Sequence, residues 1–243
     1  MTAVKQLDRP IFSIDAADIP AVSCHEAMAV AQEEYQRLLN LLESLDGRDW
    51  AQPTYCTAWD VKALTAHLAG AVAGYSSISA FLHQSVKNPY LRDSAEPIDG
   101  INKLQVEERA ENTTVELVNE FRHCGPQAVK NRSRLPWLLR QIPLPLPPVG
   151  RKSVGYLMDV VYPRDQWMHR YDISAATGRE MVVSEEHDGR ILDLVLRDIA
   201  HKLQNGLRGR CIELILTGSI HREYRLGEKP QPDCTITLDV FAF

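Results

Sequence analysis

Between Cys24 and Leu45 the apolar residues Ala27, Met28, Ala31, Tyr35, Leu38, Leu39, Leu42 and Leu45 return at steps of three and four. That period gathers them on one face and predicts an amphipathic helix. Asp46-Gly-Arg-Asp49 ends it, Pro53 falls in the following loop, and after Thr57 or Ala58 a second periodic segment runs from Trp59 towards His83. A third segment carries Ile98, Ile101, Leu104, Val115, Leu117, Val118 and Phe121 on its apolar side, with a break expected around Glu111 to Thr114. From Leu135 to Gly150 the prolines remove backbone donors and fix φ, so this stretch is expected to be a long, packed loop. Ser153 opens a fourth helix through Tyr156, Met158, Val161, Trp167, His169 and Ile173; Gly178 ends it, and Pro163 predicts a kink.

Past Gly178 the pattern changes. Glu185 to Asn205 reads as helix, whereas Cys211–Thr217, Arg222–Leu226 and Cys234–Phe241 are short β-type runs separated by Gly and Pro turns. The expected class is α+β: a helical bundle over residues 1–180, then a small α/β domain over residues 181–243. A chain of 243 residues has room for both.

Charge and cysteines narrow the setting. The formal net charge is -5, with Lys and Arg dispersed, which argues against a nucleic-acid partner. Met1 to Pro10 lacks the apolar core of a signal peptide, and His67 interrupts the longest apolar stretch well short of membrane-spanning length. A soluble, cytoplasmic protein acting on a small molecule is expected. Cys24, Cys56, Cys124, Cys211 and Cys234 are an odd set without a Cys-x-x-Cys pair, so reduced thiols are expected rather than a disulfide framework.

The chemistry concentrates in the fourth helix. Asp165, His169 and Asp172 stand at i, i+4 and i+7, which puts a carboxylate, an imidazole and a second carboxylate on one face. His67 lies among apolar residues of the second helix, and two facing helices can close a three-ligand site. Two histidines and one carboxylate are a catalytic zinc set, which leaves a position for water or substrate. Asp172 is a candidate to orient a ligand from behind, and Arg170 to meet an acidic substrate or cofactor carboxylate. Trp59 and Trp167 are expected in the core.

The run from Trp50 to Gly70, with Trp167-Met-His-Arg-Tyr-Asp172, Gly178, Ile98-Asp-Gly-Ile-Asn102 and Arg109, resembles the mycothiol-dependent maleylpyruvate isomerase family. The resemblance spans residues 25 to 180. It implies a DinB-like up-down four-helix bundle, followed by a small sterol-carrier-like domain that is expected to be shorter here than in the family. It also implies a divalent metal, zinc first with nickel or manganese as alternatives, on His67, Asp165 and His169. Asp165 stands where the family's pattern more often carries glutamate. Mycothiol or another small thiol is the implied cofactor, acting as nucleophile in isomerisation or in S-transfer to an electrophile. Two rival readings are a non-catalytic metal- or ligand-binding scaffold and a metal-dependent hydrolase that uses no thiol. Sequence leaves the substrate and the oligomeric state open.

Overall fold

The computed structural model describes residues 13–146 and 150–241. The expectation for Met1 to Pro10 and the Pro147–Val149 part of the proline-rich stretch lie outside those residues. The chain divides into two compact units: residues 22–182, and the described residues up to Ala21 together with those from Val183 onward.

The first unit is built on four helices, α1 (Cys24–Ser44), α2 (Val61–Ser76), α5 (Thr114–Ser133) and α8 (Tyr162–Thr177), with α3 (Ile78–Ser85) and α4 (Pro97–Glu107) between α2 and α5. Their starts follow capping chemistry. Ser23 and Thr113 form capping boxes with Glu26 and Glu116, and the Asp60 carboxylate accepts from the Ala63 amide at 2.8 Å. The second helix thus begins at Val61, and it stops sooner than its pattern suggests. Ser77 adopts an extended conformation and accepts from the Ala80 amide, so the segment from Trp59 towards His83 is two helices, α2 and α3.

Helix directions follow from contacts at the ends. Lys62 Nζ donates to the Ala110 carbonyl at one end of the α2/α5 pair, and Asn131 Nδ2 donates to the Tyr75 carbonyl at the other. The two therefore run the same way, with α3 and α4 making the return journey. The first and third connections reverse direction and the second does not, giving up, down, down, up. Leu38, Leu42, Leu64, Leu68, Phe121 and Ile173 fill the core between them, all fully or almost fully buried. Each is worth about 1.5–3 kcal/mol relative to exposure.

Helix α5 continues well past Phe121, through Pro126. Proline has no N–H for the carbonyl four residues back, that of Arg122, and the Tyr35 hydroxyl donates to that carbonyl instead at 3.0 Å. Tyr35 comes this close because residue 125 is glycine; a Cβ there would lie 2.0 Å from its ring.

The proline-rich stretch corrects the loop expectation. Trp137–Arg140 is a helical turn (α6), and β2 (Pro143–Leu146) pairs antiparallel with β3 (Gly150–Ser153). The Val154 amide donates to the Ile142 carbonyl, so residues 142, 144 and 146 turn their polar groups to the partner strand. Pro143 and Pro145 fall on the outer edge, where a missing donor costs no ladder bond. After β3, Ser153 caps α7 (Val154–Tyr156), and a π-helical turn over Leu157–Val161 leads into α8. The π turn stands where Pro163 predicted a kink. Gly178, at φ 70°, closes α8 with its amide on the Ser174 carbonyl.

In the second unit α9 (His187–Leu203) packs on a four-stranded sheet of order β1-β5-β4-β6. Its strands are β1 (Ile14–Asp15), β4 (Cys211–Thr217), β5 (Arg222–Gly227) and β6 (Cys234–Asp239). β4 pairs antiparallel with β5 and parallel with β6, and β1 adds parallel to β5. The sequence grouped the first residues with the bundle; the described part of that stretch instead belongs to this sheet. Leu192, Leu196, Leu216, Ile220 and Tyr224 form the core. Among the described residues no helix is long and apolar enough to cross a membrane, and all five cysteines are free thiols.

Candidate metal centre

Helix α8 runs antiparallel to α2, which brings His67 level with the turn of α8 from Asp165 to His169. The Asp165 carboxylate stands between the two imidazoles: Oδ2 is 3.5 Å from His67 Nε2 and Oδ1 is 3.5 Å from His169 Nε2. The rings meet edge to face, with centroids 5.3 Å apart. One ligand atom from each residue lies within 4.8 Å of the others. Both histidines are buried, whereas the Asp165 side chain keeps about a third of its exposure and gives the cluster a mouth to solvent.

Both rings are fixed from behind. His67 Nδ1 bonds to Gln105 Oε1 on α4 at 2.8 Å, and His169 Nδ1 bonds to Asp172 Oδ2 at 2.9 Å. Gln105 is itself held by Gln84, whose amide reaches the Gly70 carbonyl. Each acceptor calls for a proton on Nδ1, which leaves Nε2 as the nitrogen facing Asp165. Such a backing bond is the usual way a metal-binding imidazole is oriented.

The donor set fits a small divalent metal. Separations of 3.5 Å are too long for good hydrogen bonds, yet they are close to the roughly 3.4 Å edge of a tetrahedron with bonds of about 2.1 Å. Burial opposes the charge on His169, but the neighbouring Asp165 and Asp172 carboxylates and Cys56 outweigh it and push its pKa up to about 12. Burial likewise opposes the Asp165 charge, and the two histidines overcome it, holding the carboxyl far below the usual range.

Asp172 occupies the orienting place behind His169. Cys56, in the loop before α2, puts its sulfur 3.9 Å from Asp172 Oδ2. Arg170 does not face the cluster: Nε and Nη2 grip Glu34 at 2.7 and 3.0 Å, and Nη1 donates to the Val182 carbonyl. This corrects its reading as a substrate-facing cation, because a fully buried arginine held at three nitrogens braces α8 against α1. Trp167 is core, as expected. Trp59 is only partly buried, and its ring stacks on His67 with centroids 5.2 Å apart. Gln105 escaped sequence reading altogether, for want of any signal beyond a polar position on an amphipathic helix.

The family model of the mycothiol maleylpyruvate isomerase N-terminal domain matches residues 31–174, which include His67, Asp165 and His169. The chain belongs to this family. Among solved structures, a crystal structure of the mycothiol-dependent maleylpyruvate isomerase matches at 15% identity with a TM-score of 0.56. That of a histidine-to-alanine mutant of the same enzyme matches at 14% with the same score. In both cases the match covers 90% of this chain and 86% of the other. At such identity the likeness carries the fold, while membership of the mycothiol maleylpyruvate isomerase family rests on the sequence model. No curated protein matches the chain.

Proposed function

We propose that the chain is a divalent-metal enzyme that uses a small thiol, mycothiol or a close analogue, as nucleophile on a small electrophile, by isomerisation or S-transfer. One observation carries this reading: two imidazoles with Nδ1 engaged behind them turn Nε2 onto one carboxylate at ligand spacing. His67, Asp165 and His169 would hold the metal, zinc before nickel or manganese. When bound, that metal supplies Lewis acidity, which lowers the pKa of a thiol from about 8.5 so that the nucleophile is available at neutral pH.

The protein's own groups prepare this chemistry. Gln105 and Asp172 hold the imidazole tautomers, so no ring has to turn or shed its Nδ1 proton when a ligand arrives. The ring of Trp59 covers His67 and limits access of water from that side, and Asp165 leaves the solvent-facing approach open. The matched domain family supports the thiol, and the donor set supports the metal.

Elemental analysis of protein purified without chelator or affinity nickel tests the reading, beside folded His67→Ala and His169→Ala variants. Near-stoichiometric metal in wild type, lost in both variants, is expected, with turnover of electrophiles only when thiol is added. Wild type that neither carries nor takes up zinc, nickel or manganese would leave a non-catalytic scaffold; turnover without thiol would make the protein a hydrolase.

A further inference from the structure

Lys and Arg are dispersed along the chain, but Asp and Glu are not. Although acids outnumber Lys and Arg 32 to 27 overall, none falls between Phe121 and Met158, a span that holds seven Lys or Arg residues. Arg132 and Arg140 of that span are buried, and Arg122 is paired with Glu43. Lys130, Arg134 and Arg151 are exposed, and none of the three has a carboxylate partner among the described residues. Lys152 is half-buried, with its ammonium 4.8 Å from the centroid of the Tyr156 ring.

The same span turns apolar residues outward. In the single turn α6, Trp137 is 69% and Leu138 73% exposed, with Leu139 and the following Ile142 about half exposed, whereas Arg140 is buried. This inverts the usual distribution, and the inward arginine fixes the inversion. Nη1 of Arg140 donates to the Arg132 carbonyl and Nη2 pairs with Asp159. Gly155 leaves room for its stem, since a Cβ there would lie 3.3 Å from Arg140 Cβ. The turn is thereby fastened to α5 and to the π-helical turn before α8, and rolling Trp137 and Leu138 inward would pull Arg140 off its carboxylate. Asn131 Nδ2, donating to the Tyr75 and Ser76 carbonyls, sets this turn at the end of the bundle where α2 and α5 both stop. Ile78, the first residue of α3, is highly exposed at the same end.

Area and charge together select what covers this tip. Trp137, Leu138, Leu139 and Ile142 expose on the order of 400 Å2, the size of patch that marks an interaction site. It is only about half of the roughly 800 Å2 that each partner buries in a standard protein interface. A bilayer needs no matching surface: it takes Trp and aliphatic side chains into its interfacial region and draws cations to its anionic headgroups. We propose that this end of the bundle docks on an anionic phospholipid surface, with Trp137, Leu138, Leu139 and Ile142 entering the headgroup layer and Lys130, Arg134, Arg151 and Lys152 meeting lipid phosphates. The cations flank the tip on both sides, since Arg134 precedes Trp137 by three residues and Arg151 and Lys152 stand opposite Pro145 and Leu144 in the hairpin that begins just after Ile142. With a net charge of -5 the chain as a whole is repelled by such a surface, so the acid-free end is the one presented to it. A nucleic acid would engage the cations and leave the apolar residues in water. The contact is peripheral and reversible, and it is independent of the metal centre.

Co-sedimentation of the full chain with vesicles tests this, using phosphatidylcholine alone and an equimolar mixture with phosphatidylglycerol. Wild type should pellet with the anionic vesicles at low salt, pellet far less with phosphatidylcholine, and be released by high salt. Trp137→Ala/Leu138→Ala should partition about tenfold more weakly or worse, and Arg134→Gln/Arg151→Gln about 10- to 30-fold more weakly. All four positions are exposed, so thermal unfolding should find both variants folded, and their zinc uptake should match wild type. Val115→Ala, which removes an exposed apolar side chain at the other end of α5, should bind as wild type does. Wild type that ignores the anionic vesicles, binds both kinds equally, or is matched by Trp137→Ala/Leu138→Ala would overturn the proposal. If wild type ignores vesicles but self-associates in analytical ultracentrifugation, and Trp137→Ala/Leu138→Ala does not, the tip is instead an interface between copies of the chain.

Discussion

His169 and Arg170 are consecutive residues of one helix, both buried, and they belong to opposite kinds of polar cluster. Arg170 is closed: its three guanidinium nitrogens meet Glu34 and the Val182 carbonyl within 3.0 Å. His169 is closed on one side only, with Nδ1 on Asp172 at 2.9 Å and Nε2 3.5 Å from Asp165. A closed pair can only stabilise or fail, because nothing further can be added to it. A half-closed one is held firmly in place while an atom capable of binding stays available. Burial and charge do not separate the two; the leftover bonding capacity does.

The largest effect is expected on the closed side. Glu34→Ala strands the Arg170 charge in the bundle, and breaking a buried pair in this way typically costs about 3–5 kcal/mol. Urea unfolding should record that loss, with most of it recovered in Glu34→Ala/Arg170→Met, where an apolar side chain of similar length replaces the cation. The double variant should still take up zinc with the wild-type stoichiometry. A double variant that folds but loses zinc would mean that the two clusters are not independent.

On the open side the supporting bonds should matter less for stability and more for metal. Asp172→Asn and Gln105→Leu each remove the partner that orients one imidazole, and outer partners of this kind are worth about 10- to 100-fold in metal affinity. Competition against a chelator of known strength reads this directly, with stability expected to change little by comparison. If both variants keep wild-type affinity, the imidazoles are positioned by packing alone, and the contrast with Arg170 weakens to one of shape.

Acidity offers a smaller and more graded test. In the metal-free protein the folded pKa of His169 is raised to about 12, above its usual value of about 6.5. Its stabilising contribution is therefore complete below about pH 6.5 and is lost as the pH climbs towards 12. The gap in unfolding free energy between metal-free wild type and His169→Gln should narrow over that range. The depressed Asp165 pKa acts at the other end: its contribution holds above the ordinary carboxylate range and disappears as the pH falls. A metal must displace the His169 proton, so zinc affinity should rise about tenfold per pH unit near neutrality, one proton being released per ion. Affinity independent of pH would exclude protonated His169 as the group that the metal replaces.

The two clusters were unequally legible in the sequence. Asp165 and His169 announce themselves because i, i+4 spacing on a helix dictates a shared face whatever surrounds it, and the Trp50 to Gly70 run set His67 beside them. Arg170 reads in the sequence as a cation for an acidic substrate or cofactor because burial of a charge depends on a partner 136 positions away in the chain, Glu34, and no local pattern encodes such a pairing. Gln105 was silent for the same reason. At the level of elements, the 3.6-residue period found the bundle helices but ran through the break at Ser76-Ser77, since a serine cap interrupts the backbone without interrupting hydrophobicity. Pro126 does not end α5, because the Tyr35 hydroxyl donates to the carbonyl that the proline leaves without an N–H. In Leu135 to Gly150 composition argued for a loop, and the alternation of Pro143 and Pro145 allowed an edge strand.

Cys56 sharpens the comparison most finely, because the His169 ring faces two donor sets. With Asp172 and Cys56 on its Nδ1 side it forms a second group of metal-ligand chemistry, beside the one with Asp165 and His67 on its Nε2 side. Thiolate is the softer ligand and would be preferred by zinc on chemistry alone. Geometry favours the other side: the Nδ1 to Asp172 distance is already that of a finished hydrogen bond, and a metal there would have to break it. Cys56→Ala should therefore leave zinc stoichiometry intact and shift affinity by less than about threefold, the loss of one weak S–H contact. Loss of zinc in Cys56→Ala with retention in His67→Ala would move the metal to the other face of the same imidazole, and would make Asp165 the orienting carboxylate and Asp172 the ligand.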